Sequence, residues 1–430
     1  MATTLPHRLS GSGSPYPSIS RNSRNSLALS ESSDLLRTPP SDPHASGSRG
    51  TYAPVNESDA TEMRERGDEV YQQFLFWGAI ILGGLLVIAG VVIAVVLTRH
   101  KSSHNNAIGG TNSSDPSKFT TDPNLHNSFY GIAYTPTGAI LPSCGATREA
   151  VINDIQILSQ MTTRIRTYGA DCNVTYLILD AIKETKVNVS VYLGIYIDTS
   201  DDSVYQRQKN ATQSALQTFG GDKVLGLTVG NEVILNACTQ AGQTNPNDTA
   251  GIQAAELLKT KVTDIKSMLS GISLSKIPVG TADAGSYFNT DILGAVDYAM
   301  ANIHPWFASI GPLQGATWTW QFLQDNDISL AKGVSNTPEF YIAETGWPTN
   351  SSTVAGQTNG AGVQASVGNL QIFIDNFVCQ ANQNNTGYFF FEFMDEPWKL
   401  VQYPGVEGYW GLFDSNKKLK NITIPNCSHS

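Results

Sequence analysis

The run Val224-Leu225-Gly226-Leu227-Thr228-Val229-Gly230-Asn231 is apolar over most of its length and ends on a glutamate, Glu232. Such a run reads as a buried strand. A second, Phe340-Tyr341-Ile342-Ala343, also ends on a glutamate, Glu344, and continues as Thr345-Gly346-Trp347-Pro348. Six further strand-like runs fall at 130–134, 164–168, 188–197, 277–281, 299–304 and 387–393, which with 224–231 and 340–344 makes eight. Amphipathic helix-like stretches lie between them, at 148–162, 175–185, 203–219, 251–269 and 362–383. Strands alternating with helices predict a parallel sheet. Eight repeats predict closure into an eight-stranded β/α (TIM) barrel, in which active groups gather at the C-terminal ends of the strands.

Glu232 and Glu344, 112 residues apart, end the fourth and seventh of these strands. A carboxylate at the end of a buried strand is costly to desolvate. Two that face each other across a barrel mouth have the makings of a sugar-cleaving pair, one acid and one nucleophile, whose carboxyl groups in a retaining enzyme lie about 5–5.5 Å apart. Burial and like charge separate the two proton affinities. Asn231 is placed to bond a sugar 2-hydroxyl, and Trp347 offers a flat wall for a pyranose ring. His304 ends the sixth strand, as a hydrogen-bonded rim histidine or a sugar contact; Trp306 beside it is a subsite candidate and Asp283, near the fifth strand end, a weaker one. Neither His/Cys clusters of metal-site spacing nor a cofactor motif is present, so no metal or cofactor is expected. The formal net charge of −10 provides no electrostatic footprint for nucleic acid.

The chain ahead of the repeats differs in composition. Residues 1–73 are rich in Ser, Pro, Gly and Arg without apolar periodicity, and read as a disordered cytoplasmic tail. Residues 74–97 form an unbroken apolar run of 24, enough to span a bilayer core of about 30 Å as a single transmembrane signal-anchor helix. It begins too far from Met1 and is too long for a cleaved signal peptide. A Ser/Asn/Gly-rich linker over 98–126 then leads to the barrel domain at 127–430. Arg64 and Arg66 before the run and Arg99 and Lys101 after it leave orientation undecided by charge. Glycosylation acceptors decide it. Past the run they begin at Asn112, Asn173, Asn188, Asn210, Asn247, Asn350, Asn384, Asn421 and Asn426, whereas Asn56 alone precedes it. All five cysteines, Cys144, Cys172, Cys238, Cys379 and Cys427, also follow it, which predicts one or two disulfides and at least one leftover thiol. Together these predict a single-pass type II protein of the cell membrane, with the barrel outside.

The motifs Tyr130-Gly131-Ile132-Ala133-Tyr134, Arg166-Thr167-Tyr168-Gly169, Val229-Gly230-Asn231-Glu232, Ala343-Glu344-Thr345-Gly346-Trp347-Pro348 and Trp410-Gly411-Leu412-Phe413 resemble glycoside hydrolase family 17, the β-1,3-glucan endohydrolases and glucanosyltransferases of fungi and plants. The tail, single anchor and linker resemble its membrane-anchored fungal branch. The resemblance implies a retaining mechanism on cell-wall β-1,3-glucan, with Glu232 as proton donor and base and Glu344 as nucleophile. It implies that Tyr134 stands near the nucleophile. It also carries over Glu396 and Lys399, in Phe393-Met394-Asp395-Glu396-Pro397-Trp398-Lys399, and Glu407 as supporting residues of the cleft. Three readings follow: an endo-acting hydrolase, a glucanosyltransferase using the same site, and a non-catalytic glucan-binding wall sensor.

Overall fold

The computed structural model describes residues 115–429. The tail and the transmembrane helix expected at 1–73 and 74–97, and the linker as far as residue 114, lie outside the described residues. Eight strands, β1 (Gly131–Ala133), β2 (Arg164–Arg166), β3 (Ser190–Ile195), β4 (Val224–Asn231), β5 (Val279–Ala284), β6 (Tyr298–Asn302), β7 (Glu339–Thr345) and β8 (Tyr388–Phe390), close in sequence order into one barrel. Every neighbouring pair, β1 with β8 included, is parallel. The barrel is the one expected from the alternating pattern.

Helices cover the outside: α1 (Arg148–Leu158), α2 (Val174–Thr185), α3 (Asp202–Phe219), α4 (Val233–Gln240), α5 (Thr249–Gly271), α6 (Thr290–Leu293), α7 (Pro312–Phe322), α8 (Ser329–Ala331), α9 (Val367–Gln383) and α10 (Lys399–Gln402). Local chemistry sets several starts. Thr147, Asp201 and Ser366 each accept a backbone N–H from the first turn of α1, α3 and α9. Side chains alternate across each strand, so one set fills the barrel and the other meets the helices. Tyr192, Ala282, Tyr298, Met300, Ala343 and Phe389 form the inner plug. Gly226 of β4 makes room for the Tyr298 ring, since a Cβ there would come within 2.7 Å of it. The Tyr298 hydroxyl is satisfied by Thr228 Oγ1 at 2.8 Å.

The structure departs from the expected pattern where the backbone changes partners. The apolar run at 387–393 is regular strand only as far as Phe390, although Phe391 N still donates to Thr345 O of β7 at 2.7 Å and Phe393 N to Ala133 O of β1 at 3.0 Å. Glu392 N donates to Trp410 O at 3.2 Å, and Leu412 N to Glu392 O at 2.9 Å, so this segment pairs with the chain that returns across the mouth. β5 lies two residues later than expected at its start and reaches Ala284, which brings Asp283 inside the strand. The repeat is also less regular than expected. Only a 3₁₀ turn, Gly285–Tyr287, and the four residues of α6 join β5 to β6. α7 runs through a π-helical segment, Leu323–Ile328, into α8.

The last dozen residues of the expected linker are laid on the barrel. Gln156 Nε2 donates to Pro116 O at 2.8 Å, Asp122 N donates to Gln160 Oε1 at 2.7 Å, and Leu125 is buried. Two disulfides, Cys144–Cys172 and Cys379–Cys427, pin the β1 loop and the C-terminal segment, and Cys238 is a buried thiol. Among the described residues, no helix is long and apolar enough to cross a membrane.

Candidate active site

The C-terminal ends of β2, β4, β6 and β7 converge on one network of side chains. Glu344, on the penultimate residue of β7, is 5% exposed. Arg166 Nη1 donates to its Oε1 at 3.0 Å, and His304 Nε2 stands 3.2 Å from its Oε2. Burial pushes the Glu344 carboxyl up, but the His304 hydrogen bond and the Arg166 charge outweigh it and hold it down at about 2. The group is therefore an anion at any ordinary pH, fixed through both oxygens.

Arg166 reaches a second partner. Its Nη2 donates to Asn231 Oδ1 at 2.6 Å, and its guanidinium lies 4.5 Å from the centre of the Tyr168 ring. One planar fork thus ties β7 to the end of β4. Glu232, the next residue, is half-buried and has a left-handed backbone, φ +56°. That conformation is costly for a residue with a Cβ and concentrates at functional positions. It is held there by Glu232 N donating to Ala282 O at 3.1 Å, and by α4 beginning at the following residue. Asn302 Nδ2 donates to Glu232 Oε1 at 3.0 Å, and Asn302 is the strand neighbour of Glu344 in the β6–β7 register. The two glutamates are therefore linked twice at one mouth, through Asn302 and through Asn231 with Arg166.

Asp283 has a different role from a rim subsite. It is 1% exposed, and its carboxylate accepts the N–H groups of Ile234 at 2.8 Å, Leu235 at 3.2 Å and Ala284 at 2.9 Å. It therefore caps α4 from the neighbouring strand, immediately behind Glu232. Burial pushes its carboxyl well above the ordinary range against these donors, and the Glu232 charge acts in the same direction.

Several expected contacts move. Trp347 is not a sugar wall: it is fully buried, packs edge-on against Trp306 with centroids 5.3 Å apart, and donates its ring N–H to Gln364 O. Trp306 is likewise core, at 5% exposed. The Trp347 ring also meets Phe373 of α9, with centroids 6.4 Å apart. Tyr134 is 1% exposed and donates to Asp154 Oδ2 at 2.8 Å, in a structural group completed by Lys417. The tyrosine beside Glu344 is instead Tyr168, whose hydroxyl is held well above its ordinary range by burial and by the Glu344 charge.

Glu396 is buried and Lys399 half-buried, rather than spread along a surface. Lys399 Nζ lies 2.6 Å from Glu396 Oε2 and 2.8 Å from Glu392 Oε2, over the Phe391 ring. Burial, and then the Glu396 charge, push the Glu392 carboxyl well up. Glu407 is half-buried in the loop leading to Trp410.

Sequence reasoning misses Arg166, Tyr168, Asn302 and Glu392 as site residues. Two signals exist for the first three: Arg166 and Tyr168 share a motif at the end of β2, and Asn302 falls two residues before His304. Glu392 carries no such signal, because its place depends on the change of partners after β8.

Comparison with known proteins points to one family. The BtgE/BtgC glycoside hydrolase domain matches residues 131–411. The probable glucan endo-1,3-beta-glucosidase btgC of Aspergillus fumigatus is 34% identical over 330 residues, covering 74% of this chain and 46% of that protein. The glucan endo-1,3-beta-glucosidase btgC of Emericella nidulans is 31% identical over 317 residues, covering 70% and 47%. The chain spans about half the length of the curated relatives it matches. Among solved structures, the glycoside hydrolase family 17 β-1,3-glucanosyltransferase from Rhizomucor miehei is similar with a TM-score of 0.55 at 26% identity, over 70% of this chain and 98% of that one. An endo-laminarinase from Formosa shares the fold, with a TM-score of 0.53 at 21% identity over 69% and 86%. With a matched domain spanning the whole barrel and paired glutamates at its mouth, the chain belongs to the BtgE/BtgC glycoside hydrolase family.

Proposed function

We propose that the barrel cleaves β-1,3-glucosidic bonds within glucan chains with retention of configuration, using Glu344 as nucleophile and Glu232 as acid and base. The observation that carries this reading is the double clamp on one of two carboxylates at one mouth. Glu344 is held and ionised by Arg166 and His304, and Glu232 stands at the same mouth with Asn302 donating to it. In the first step a Glu344 oxygen attacks the anomeric carbon while Glu232 gives its proton to the departing glycosidic oxygen. The C–O bond breaks and a glycosyl-enzyme ester forms. Glu232 then takes a proton from the incoming water, whose oxygen displaces Glu344 and restores both groups. With Asn231 Oδ1 engaged by Arg166, its Nδ2 is the atom turned to a sugar 2-hydroxyl. The Aspergillus and Emericella relatives, glucan endo-1,3-beta-glucosidases by name, support glucan as the substrate.

A second reading keeps the same site and replaces water by a sugar hydroxyl, giving transfer. The similarity to the Rhizomucor glucanosyltransferase favours it. We further propose that the apolar run at 74–97 anchors the enzyme in the cell membrane with the barrel outside. Eight acceptor asparagines within the described residues, from Asn173 to Asn426, are all exposed, and both disulfides suit that compartment.

The test uses the full-length chain on laminari-oligosaccharides. Glu344→Gln and Glu232→Gln are each expected to lower turnover by roughly three orders of magnitude or more. Products longer than the substrate identify transfer. Glucan binding without turnover in the wild type, unchanged in both variants, identifies a wall sensor and overturns the catalytic reading.

A further inference from the structure

Four aromatic side chains are exposed among the described residues: Tyr176, Tyr196, Trp398 and Tyr403. Tyr176 is explained by packing, since its ring meets Phe219 edge-on at 4.9 Å between α2 and α3. The other three all stand on the catalytic face. Tyr196 is the first residue after β3, while Trp398 and Tyr403 flank α10 in the segment after β8. Tyr196 is 48% exposed and Tyr403 49%, so each leaves half of a large side chain to water at the mouth of the barrel. Aromatic surface gathered beside a site, rather than scattered over the molecule, marks a binding surface.

Both tyrosines are rooted next to the catalytic network. A Cβ on Gly169 would stand 3.4 Å from Tyr196 Cβ, and Gly169 follows Tyr168, whose ring carries the Arg166 guanidinium. Tyr403 N donates to Lys399 O at 2.6 Å, and Lys399 holds Glu392 and Glu396. The Tyr196 hydroxyl is raised above its ordinary value by burial first, then by Asp198, with Tyr403 a smaller contributor.

Their position selects one half of the substrate. Glu232 on β4 and Glu344 on β7 divide the rim into an arc of β5 and β6 and an arc of β8, β1, β2 and β3. Glu232 must face the departing oxygen, and its carboxylate is held from β6 by Asn302, so the leaving half of the chain departs over the β5–β6 arc. The half retained on Glu344 then continues over the other arc, where the tyrosines stand.

We propose that Tyr196 and Tyr403 form a donor-side aromatic subsite, gripping the glucan chain beyond the glucosyl unit that Glu344 attacks. The C–H faces of pyranose rings pack on aromatic faces, and two rings from separate loops hold a bent 1,3-linked chain between them. The inference rests on the glucan-cleaving reading.

The test measures kcat/KM of the full-length enzyme against laminarihexaose and against the shortest laminari-oligosaccharide it cleaves, with reducing-end-labelled substrate to locate the bond cut. Tyr196→Ala and Tyr403→Ala are expected to lower kcat/KM on the hexaose about tenfold, mainly through KM, and to leave the shortest substrate within about twofold. Cleavage of the hexaose moves towards its non-reducing end. Tyr196→Phe and Tyr403→Phe, which keep the ring, stay near wild type. An equal loss at every chain length, no loss at any, or a shift towards the reducing end overturns the subsite. A wild type that cleaves no laminari-oligosaccharide overturns the glucan-cleaving reading itself, whereas an active wild type with unaffected tyrosine variants overturns the subsite alone.

Discussion

His304 and Arg166 place two donors on one buried carboxylate, and the consequence is a Glu344 side chain that resists protonation to about pH 2. A hydrogen bond to a charged group contributes about 1.5–3 kcal/mol, and about 1.4 kcal/mol corresponds to one pKa unit. Loss of the His304 bond in His304→Ala therefore moves the acid limb of the kcat/KM profile up by roughly one to two pH units. A limb that stays in place would remove His304 from the control of Glu344. The same shift has a stability sign. Because the folded-state carboxyl lies below the ordinary range near 4.3, its contribution is full above about pH 5 and is lost as pH falls towards 2. Trp347 shows what the residue scale conceals. The sequence places it three positions from Glu344, but does not say on which side of the strand end its ring falls. Packed against Trp306 and Phe373, it belongs to the core. Trp347→Ala is thus expected to lose about 3–5 kcal/mol of stability, as large aromatic truncations do. Trp347→Phe should melt earlier yet act on laminari-oligosaccharides with an unchanged KM. A KM that rises while the melting temperature holds would restore Trp347 to the substrate.

At the scale of elements, the strand-to-helix elbow at Glu232 depends on a neighbouring strand. α4 has no side-chain cap of its own, and the carboxylate of its first flanking residue, Glu232, accepts from Asn302 instead. Asp283 supplies the cap from β5 through Ile234 N and Leu235 N. Asp283→Ala leaves these N–H groups unpartnered, at about 1–3 kcal/mol for a buried group. Chemical denaturation is expected to show a loss of that size, together with a fall in kcat larger than any change in KM. Asp283→Asn keeps one acceptor oxygen and should lose less on both measures; an asparagine variant as damaged as the alanine one would contradict the capping role. The same dependence on neighbours governs what the sequence makes legible. β4 is readable at its full length because its apolar run is continuous and it pairs with β3 on one side and β5 on the other. β8 reads too long because the apolar run 387–393 stays buried past Phe390, where the backbone also takes up the segment around Trp410 as a partner. Periodicity reports burial and not the identity of the partner strand. α4 escapes a sequence reading because it is short and follows a strand with no turn sequence between them.

For the whole molecule, the alternation of strands and helices is enough to predict the closed barrel, and the two strand-end glutamates are enough to locate one mouth. The groups that clamp them are harder to read, because Arg166 comes from β2 and Asn302 from β6, and only barrel closure brings those strand ends together. The same scale carries the proposal that the barrel lies outside the membrane. Asn173, Asn188, Asn210, Asn247, Asn350, Asn384, Asn421 and Asn426 are exposed on the folded barrel, so a glycan at any of them meets solvent and not core. Cys379–Cys427 ties α9 to the C-terminal segment, which also holds Lys417 and Lys420 against Asp154 and Asp395. Disulfides persist in an oxidising compartment, the same one in which such asparagines meet the glycosylation machinery. The full-length chain made in a fungal host is therefore expected to lose mass on treatment with an N-glycosidase, and its barrel to resist protease in sealed microsomes until detergent is added. Cys427→Ser is expected to lose about 2–4 kcal/mol of stability. A chain with no glycan, both cysteine pairs reduced and a barrel cut by protease without detergent would put the domain on the cytosolic side and remove the reason for the disulfides.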